Sequence, residues 1–182
     1  MISFSDIHIR LAGTDDADAM VQLLNSAYRG ESSRKGWTTE ADLIAGNIRT
    51  DRQNLLETMQ IPGSVFLKYT NEAGLLTACV NLQKQEGRIY LGMFSVSPAE
   101  QGAGIGKLML KAAEEYAAFV QCPVIYMSVI SVREELIGWY KRHGYQDTGE
   151  RKTFTEDGLT GRHLRPLEFM LLEKQIDAAA FH

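Results

Sequence analysis

The sequence predicts an α/β fold built on a mixed sheet, and three observations predict it. Arg88 to Phe119 reads in succession as a buried strand, a glycine-rich joint and an amphipathic helix. Val124 to Ile130 is a second apolar strand, reached through that helix, so the two strands are parallel by a right-handed crossover. Ahead of Arg88, short apolar stretches separated by tight turns read as antiparallel strands. With 182 residues, 45% of them hydrophobic, the chain suits one domain with a sizeable core.

Nineteen basic against 23 acidic residues give a formal net charge of −4. That balance argues against nucleic acid as the partner. Cys79 and Cys122 lie far apart, in or beside apolar runs, and read as buried reduced thiols rather than a disulfide or a metal site. No basic segment followed by an apolar one opens the chain, and no run approaches the ~18 apolar residues of a membrane span. The expected location is the cytoplasm, with no membrane partner and no metal.

In chain order, Ile7 to Leu11 alternates as a half-buried strand, with His8 facing outward between Ile7 and Ile9. Thr14 is placed to cap a helix whose first turn carries Asp15, Asp16 and Asp18. Its apolar face is Ala17, Met20, Val21, Leu24 and Tyr28. Arg29 to Thr38 has the composition of a loop. A helix is expected from Thr39 to Arg49 and another segment from Asp51 to Gln60. Pro62-Gly63 is a turn, Val65 to Tyr69 a strand, Asn71 to Gly74 a hairpin connection, and Leu75 to Leu82 the returning strand. Ile89 to Val96 is the central strand, and Gly92 inside it marks a bulge or a close backbone approach. Ile105, Leu108, Met109, Ala112, Tyr116 and Phe119 recur at helical spacing. After the second apolar strand, Arg133, Leu136, Ile137 and Tyr140 share a helical face, which Gly144 ends. Asp147 to Leu164 is polar and irregular, and Leu167 to Glu173 is a last strand.

The chemistry sits in the joint, Gln101-Gly102-Ala103-Gly104-Ile105-Gly106-Lys107. The first N–H groups of a helix have no internal partner and carry partial positive charge, and glycines let an anion approach them. Lys107 adds a full charge. A Walker loop would need Ser or Thr after the lysine, where Leu108 stands. A dinucleotide fingerprint would need glycine at position 107, and an acid after the next strand, which has none.

The spacing Q-x-x-G-x-G after a strand ending V-S-P resembles the acetyl-CoA pyrophosphate loop of the GCN5-related N-acetyltransferase (GNAT) family. The resemblance spans residues 7–174 and leaves 175–182 as a short tail. A second motif supports it: Tyr140 followed four positions later by Gly144-Tyr145. The resemblance implies an α/β (α+β) fold with a mixed central sheet of about seven strands flanked by helices. Its N-terminal half would be antiparallel, and a bulge at Gly92 would splay a parallel pair apart at the acetyl-CoA site. Gln101, Gly102, Ala103, Gly104, Ile105, Gly106 and Lys107 would hold the pyrophosphate. Phe94, Ser95 and Val96 would line the pantetheine arm, with Phe94 and Val96 offering backbone groups.

By the same resemblance the activity is acetyl transfer from acetyl-CoA to a primary amine, of a small molecule or a peptide N-terminus. Tyr140 would be the general acid for the departing thiolate. Tyr28, Arg29, Glu31, Trp37 and Arg49 would face the acceptor, with Phe154, Arg162 and His163 as further lining residues. The final hairpin can close the site and mediate a homodimer. The chain departs from the family pattern twice. Arg133 replaces an asparagine that contacts pantetheine, leaving cofactor or acceptor as its partner. The central strand carries no glutamate to act as base, and that absence supports a second reading, a non-catalytic acetyl-CoA binder serving as a sensor or partner module.

Overall fold

The structure is a computed structural model that describes residues 1–29, 33, 34, 36, 38–46 and 48–177. Its frame is one seven-stranded sheet: β1 (Ile9–Leu11), β2 (Ser64–Thr70), β3 (Leu76–Gln85), β4 (Arg88–Val96), β5 (Val124–Ile130), β6 (Gln146–Phe154) and β7 (Leu167–Gln175), in the order β1-β2-β3-β4-β5-β7-β6. Every pairing is antiparallel except β4 with β5. Four helices flank it: α1 (Ala17–Tyr28), α2 (Arg52–Gln60), α3 (Ile105–Phe119) and α4 (Glu134–Arg142). The mixed sheet with a single parallel pair at its centre is the architecture the sequence predicts.

Strand alternation sorts the core into two layers. Leu67, Ala78, Val80, Leu82, Ile89 and Leu91 pack on α3 and α4, while Phe66 and Cys79 face α1 and α2 on the other side. A smaller cluster of Ile44, Ile130 and Leu167 closes one end.

The sheet is split at its centre. β4 and β5 pair only at Ile89 with Ile125 and Tyr90 with Tyr126. The closed end is pinned by Tyr90 against Tyr126 (ring centroids 5.3 Å apart) and by the Arg88 guanidinium 4.2 Å over the Tyr126 ring. Beyond it the strands diverge. β4 also slips register against β3, from Cys79 opposite Ser95 to Asn81 opposite Gly92. The bulge therefore falls just after Gly92, and Met93 takes the left-handed conformation there (φ 48°). Gly92 needs no positive φ, but a Cβ on it would lie 3.1 Å from the Tyr90 ring.

Several expectations are corrected. β1 begins only at Ile9, because Asp6 turns the chain by accepting from the backbone N–H groups of His8 and Ile9; Ile7 is 80% exposed and does not pair. His8 is half-buried, stacked on Tyr69. Thr14 does not cap α1. It opens a single 3-10 turn, and Asp16 instead accepts from Gly13 N–H at 2.9 Å. Leu23 and Ala27 belong to the buried face of α1. Phe119 ends α3 and is 55% exposed.

No helix runs from Thr39 to Arg49 among the described residues. That stretch makes one turn and then pairs its backbone outward, Ala45 N–H to Arg162 and Leu164 N–H to Leu43, with Ile44 bridged to His163. The polar segment after Asp147 is largely strand, since β6 pairs with β7 from Gln146 to Phe154. Its side chains are almost all exposed, so no apolar alternation announced it. β7 reaches Gln175, two residues past the expected end.

Candidate functional site

The joint predicted to bind an anion leads into α3 at the open mouth of the split. Pro98 to Glu100 form a 3-10 turn, and Gly102 (φ 92°) and Gly104 (φ 86°) then reverse the chain into the helix. Only glycine holds such angles without strain. A Cβ at either position would meet nothing within 4 Å, so both glycines border open space. The first helical N–H bonded within α3 is that of Leu108, to Gly104 at 3.2 Å. The N–H groups of Ile105, Gly106 and Lys107 are left for a ligand.

Behind this loop, Gln101 acts as a fastener. Its side-chain amide donates to Val96 O at 2.9 Å and to Thr38 Oγ1 at 2.8 Å, tying the joint to the end of β4 and to the preceding loop. Ile105 points into the core, and Ala103 borders a separate surface hollow near His8 and Tyr69.

The cleft has a volume of about 470 Å³, and Phe94, Ser95, Val96, Gly102, Gly104 and Lys107 are among its walls. Trp139, Arg142 and His143 also line it, and sequence reasoning assigned none of them to the cofactor. Trp139 packs over Gly106, where a Cβ would lie 3.2 Å from its ring, and stacks on Phe94 at 6.2 Å. His143 sits 4.4 Å from Trp139 and donates from Nδ1 to the Trp139 carbonyl at 2.8 Å. The available signal was an aromatic on the polar side of an amphipathic helix, next to a tyrosine on its apolar side.

At its inner end the cleft shares Phe94 and Leu136 with a smaller chamber of about 110 Å³. Tyr28, Glu40, Arg49, Arg133 and Tyr140 meet there. Tyr28 reaches across from α1 and donates its hydroxyl to the carbonyl of Phe94 at the bulge. Burial, reinforced by Glu40, pushes the Tyr28 phenol up to about 12. Tyr140 is buried, 6.5 Å from the Phe94 ring and 5.2 Å from Trp139 by ring centroids. Burial first, then Tyr28, raises its pKa well above the ordinary phenol value. Its hydroxyl makes no hydrogen bond among the described residues and stays protonated at neutral pH.

The spacing of Tyr140 and Gly144-Tyr145 has a local cause. α4 closes with Gly144 in the left-handed region (φ 95°), Gly144 N–H bonding Lys141 and Tyr145 N–H bonding Tyr140. This is the Schellman closure, which brings the residue after the glycine back onto the last turn. Tyr145 thereby meets Tyr140 edge-on at 5.8 Å and fixes its ring.

Glu40 was missed by sequence reasoning because both its partners are distant in the chain. One oxygen accepts from Arg29, the other from Arg133 at 3.3 Å. Arg29 is 2% exposed and also donates from Nε to Thr160 O at 3.2 Å. It supports the chamber wall and has no face toward an acceptor. Arg133 lies in this chamber rather than in the larger cleft, its second nitrogen bonding Thr38 O. Arg49 lines the chamber with its guanidinium 5.9 Å over the Tyr28 ring. Phe154 lines it as well, while His163, which does not, meets the Phe154 ring edge-on at 4.5 Å. Glu31 and Trp37 lie outside the described residues. No group of three or more His, Cys, Asp or Glu is placed to hold a metal, and no helix is long and apolar enough to cross a membrane, among the described residues.

Comparison with known proteins bears on this geometry. Over 67 residues the chain is 37% identical to the spermine/spermidine N(1)-acetyltransferase of Bacillus subtilis strain 168, which is 36% of this chain and 44% of that protein. The probable spermine N(1)-acetyltransferase of Bacillus subtilis subsp. natto matches to the same extent. The chain thus spans under half the length of the curated relatives it matches. Among solved structures, the ribosomal-protein-S18-alanine N-acetyltransferase of Escherichia coli superposes with a TM-score of 0.69 at 14% identity, covering 93% of each chain. The Salmonella typhimurium protein yncA, solved with its cofactor acetyl-CoA, superposes with a TM-score of 0.67 at 21% identity, covering 95% of each. At these identities the likeness is one of fold. Residues 18–145, well over half the chain and including the split strand, the glycine joint and Tyr140, match the acetyltransferase (GNAT) family model. The chain belongs to the GNAT acetyltransferase family.

Proposed function

We propose that this protein is an N-acetyltransferase that moves an acetyl group from acetyl-CoA to the primary amine of a small acceptor. The observation that carries the reading is the adjacency of two cavities: a cleft floored by a glycine-led helix start shares Phe94 and Leu136 with a chamber lined by Tyr140, a buried protonated phenol. The residues present fit the donor. Gly102 and Gly104 leave a cradle beside the free N–H groups of α3, and Lys107 and Arg142 add charge for phosphates. Ser95 Oγ and Glu100 Oε2, both lining the cleft, are buried without a partner among the described residues. The unpaired stretch of β4 beyond Tyr90 offers backbone groups to an extended arm.

Acetyl-CoA, when bound, supplies an acyl group activated as a thioester. The chain's own part is to orient, polarise and donate. Backbone N–H groups along the edge of β4 released by the bulge at Met93 would polarise the thioester carbonyl in an oxyanion-type arrangement. Tyr28, by taking the Phe94 carbonyl, fixes the direction of that edge. The Tyr140 hydroxyl gives its proton toward the departing sulfur. Trp139 and Phe94 wall the junction from water. No covalent intermediate is needed, since holding donor and amine together supplies much of the rate. Both oxygens of Glu40 accept from arginines, so it positions those groups, and the amine enters already neutral or loses its proton to water. The Bacillus subtilis relatives support an amine acceptor.

The test is thermal stabilisation by acetyl-CoA, CoA and ATP, followed by free-thiol release with an amine panel. A clear shift with acetyl-CoA and none with ATP is expected, by mass action on the folded state. No shift with any CoA species would remove the reading. A carboxylate-free central strand favours one alternative, a non-catalytic acetyl-CoA sensor, which would give the shift with no thiol release from any amine.

A further inference from the structure

Two arginines, Arg49 and Arg133, line the inner chamber and a third, Arg29, stands buried behind Glu40; they are not equivalent. Arg29 and Arg133 are both spent on Glu40. The Arg49 guanidinium makes no hydrogen bond or ion pair with any described residue. Its backbone, in contrast, is held firmly. Asn25, on α1, accepts from the N–H groups of both Arg49 and Thr50, the latter at 3.0 Å, and donates to Thr50 O at 3.1 Å. The Tyr28 ring lies under the guanidinium, 5.9 Å from centroid to Cζ. Asp157 is within electrostatic reach of Arg49, but its Oδ1 is turned into its own loop, accepting from Leu159 N, Thr160 N and Thr160 Oγ1 at 2.8 to 2.9 Å. Among the described residues, Arg29, Arg49 and Arg133 stand against Glu40 and Asp157, an excess of one positive charge.

A guanidinium without a polar partner among the described residues, in a small chamber, is a receptor for a planar anion. We propose that Arg49 recognises a carboxylate on the acceptor, and that the acceptor is a short aminocarboxylic acid; this rests on the acetyl-transfer reading above. Tyr28 links the two ends of the chamber, with Arg49 against its ring and the β4 bulge at its hydroxyl. The volume of about 110 Å³ is small beside the roughly 300–1,000 Å³ of sites for larger ligands, and admits few heavy atoms. A polyamine would bring ammonium groups against this excess positive charge, and like charges placed together are a means of exclusion. On this point the chain differs from what the relatives in Bacillus subtilis are named for.

The experiment measures free-thiol release from acetyl-CoA with the intact protein and with R49A, across the common α-amino acids, β-alanine, the carboxamide of each, and spermidine. The free acids are expected to turn over with KM lower than their carboxamides by on the order of 10- to 100-fold, as for a hydrogen bond to a charged group. R49A should raise KM for the acids by a similar factor, change kcat less, and leave the carboxamides where they were. R49K should recover part of the loss. Turnover of spermidine or carboxamides in preference to the free acids would overturn the inference while leaving acetyl transfer intact. Equal effects of R49A on acids and carboxamides would overturn it as well. Thiol release from no amine, with stabilisation by acetyl-CoA retained, would instead remove the transfer reading on which the inference stands.

Discussion

On the proposed reading, Tyr140 is where the chemistry and the local structure coincide. Its hydroxyl carries a proton that burial and Tyr28 hold well past the ordinary phenol value. Tyr140→Phe is expected to lower kcat on the order of 100-fold, with stabilisation by acetyl-CoA unchanged, measured by thiol release and thermal shift in parallel. The pH profile follows from the sign of the shift. A raised pKa keeps the donor protonated through pH 10, so the rate should climb with pH as the acceptor amine loses its proton, with no alkaline fall from Tyr140 below pH 10. A fall centred near pH 9 would assign the limb to another group. Tyr140 was legible in the sequence because the closure that fixes it spans only six residues, from Tyr140 to Tyr145. Glu40 was not, since its partners stand at positions 29 and 133 and nothing local distinguishes it from a surface acid. Arg29 misled for the same reason, because its composition is that of a contact residue while its burial is that of a strut.

At the scale of elements, reading succeeded where a periodic apolar pattern set the structure and failed where backbone pairing alone did. α3 and β5 were predicted with their observed bounds, and β4 to within one residue. β6 is held by its ladder to β7 with both faces largely in water, and polar strands of that kind leave no alternation to read. The stretch from Thr39 to Arg49 has the composition of a helix, yet Glu40 is drawn inward by two arginines and Ile44 is buried against Ile130 and Leu167. Tertiary contacts overrode propensity there. The end of α3 yields a prediction. Gln121 N–H bonds Ala118 and Cys122 N–H bonds Ala117, the same Schellman closure that ends α4, but the left-handed position is filled by exposed Gln121 (φ 60°) rather than by glycine. Gln121→Gly should stabilise the fold by roughly 0.5–1 kcal/mol, read as a higher urea midpoint at unchanged slope. An unchanged midpoint would show that the glutamine bears no strain at that angle.

For the whole molecule, the feature that matters most is the two-residue ladder between β4 and β5. It joins a half-sheet of β1 to β4 to another of β5 to β7, and over most of their length nothing in the sheet connects them. On the proposed reading, an extended donor arm laid along the free edge of β4 would be a removable piece of the architecture. Amide exchange in Leu91 to Val96 and Met127 to Ile130 should slow when acetyl-CoA is added, by more than in β2 or β3; uniform slowing across the sheet would argue against this. On the proposed reading, a protein sutured by its donor has a durability that depends on supply. The thread is lost when CoA leaves after transfer, and in CoA-poor surroundings the chain would spend longer in the form that proteases can open. Its abundance would then rise and fall with the pool of CoA species, with no regulator beyond mass action.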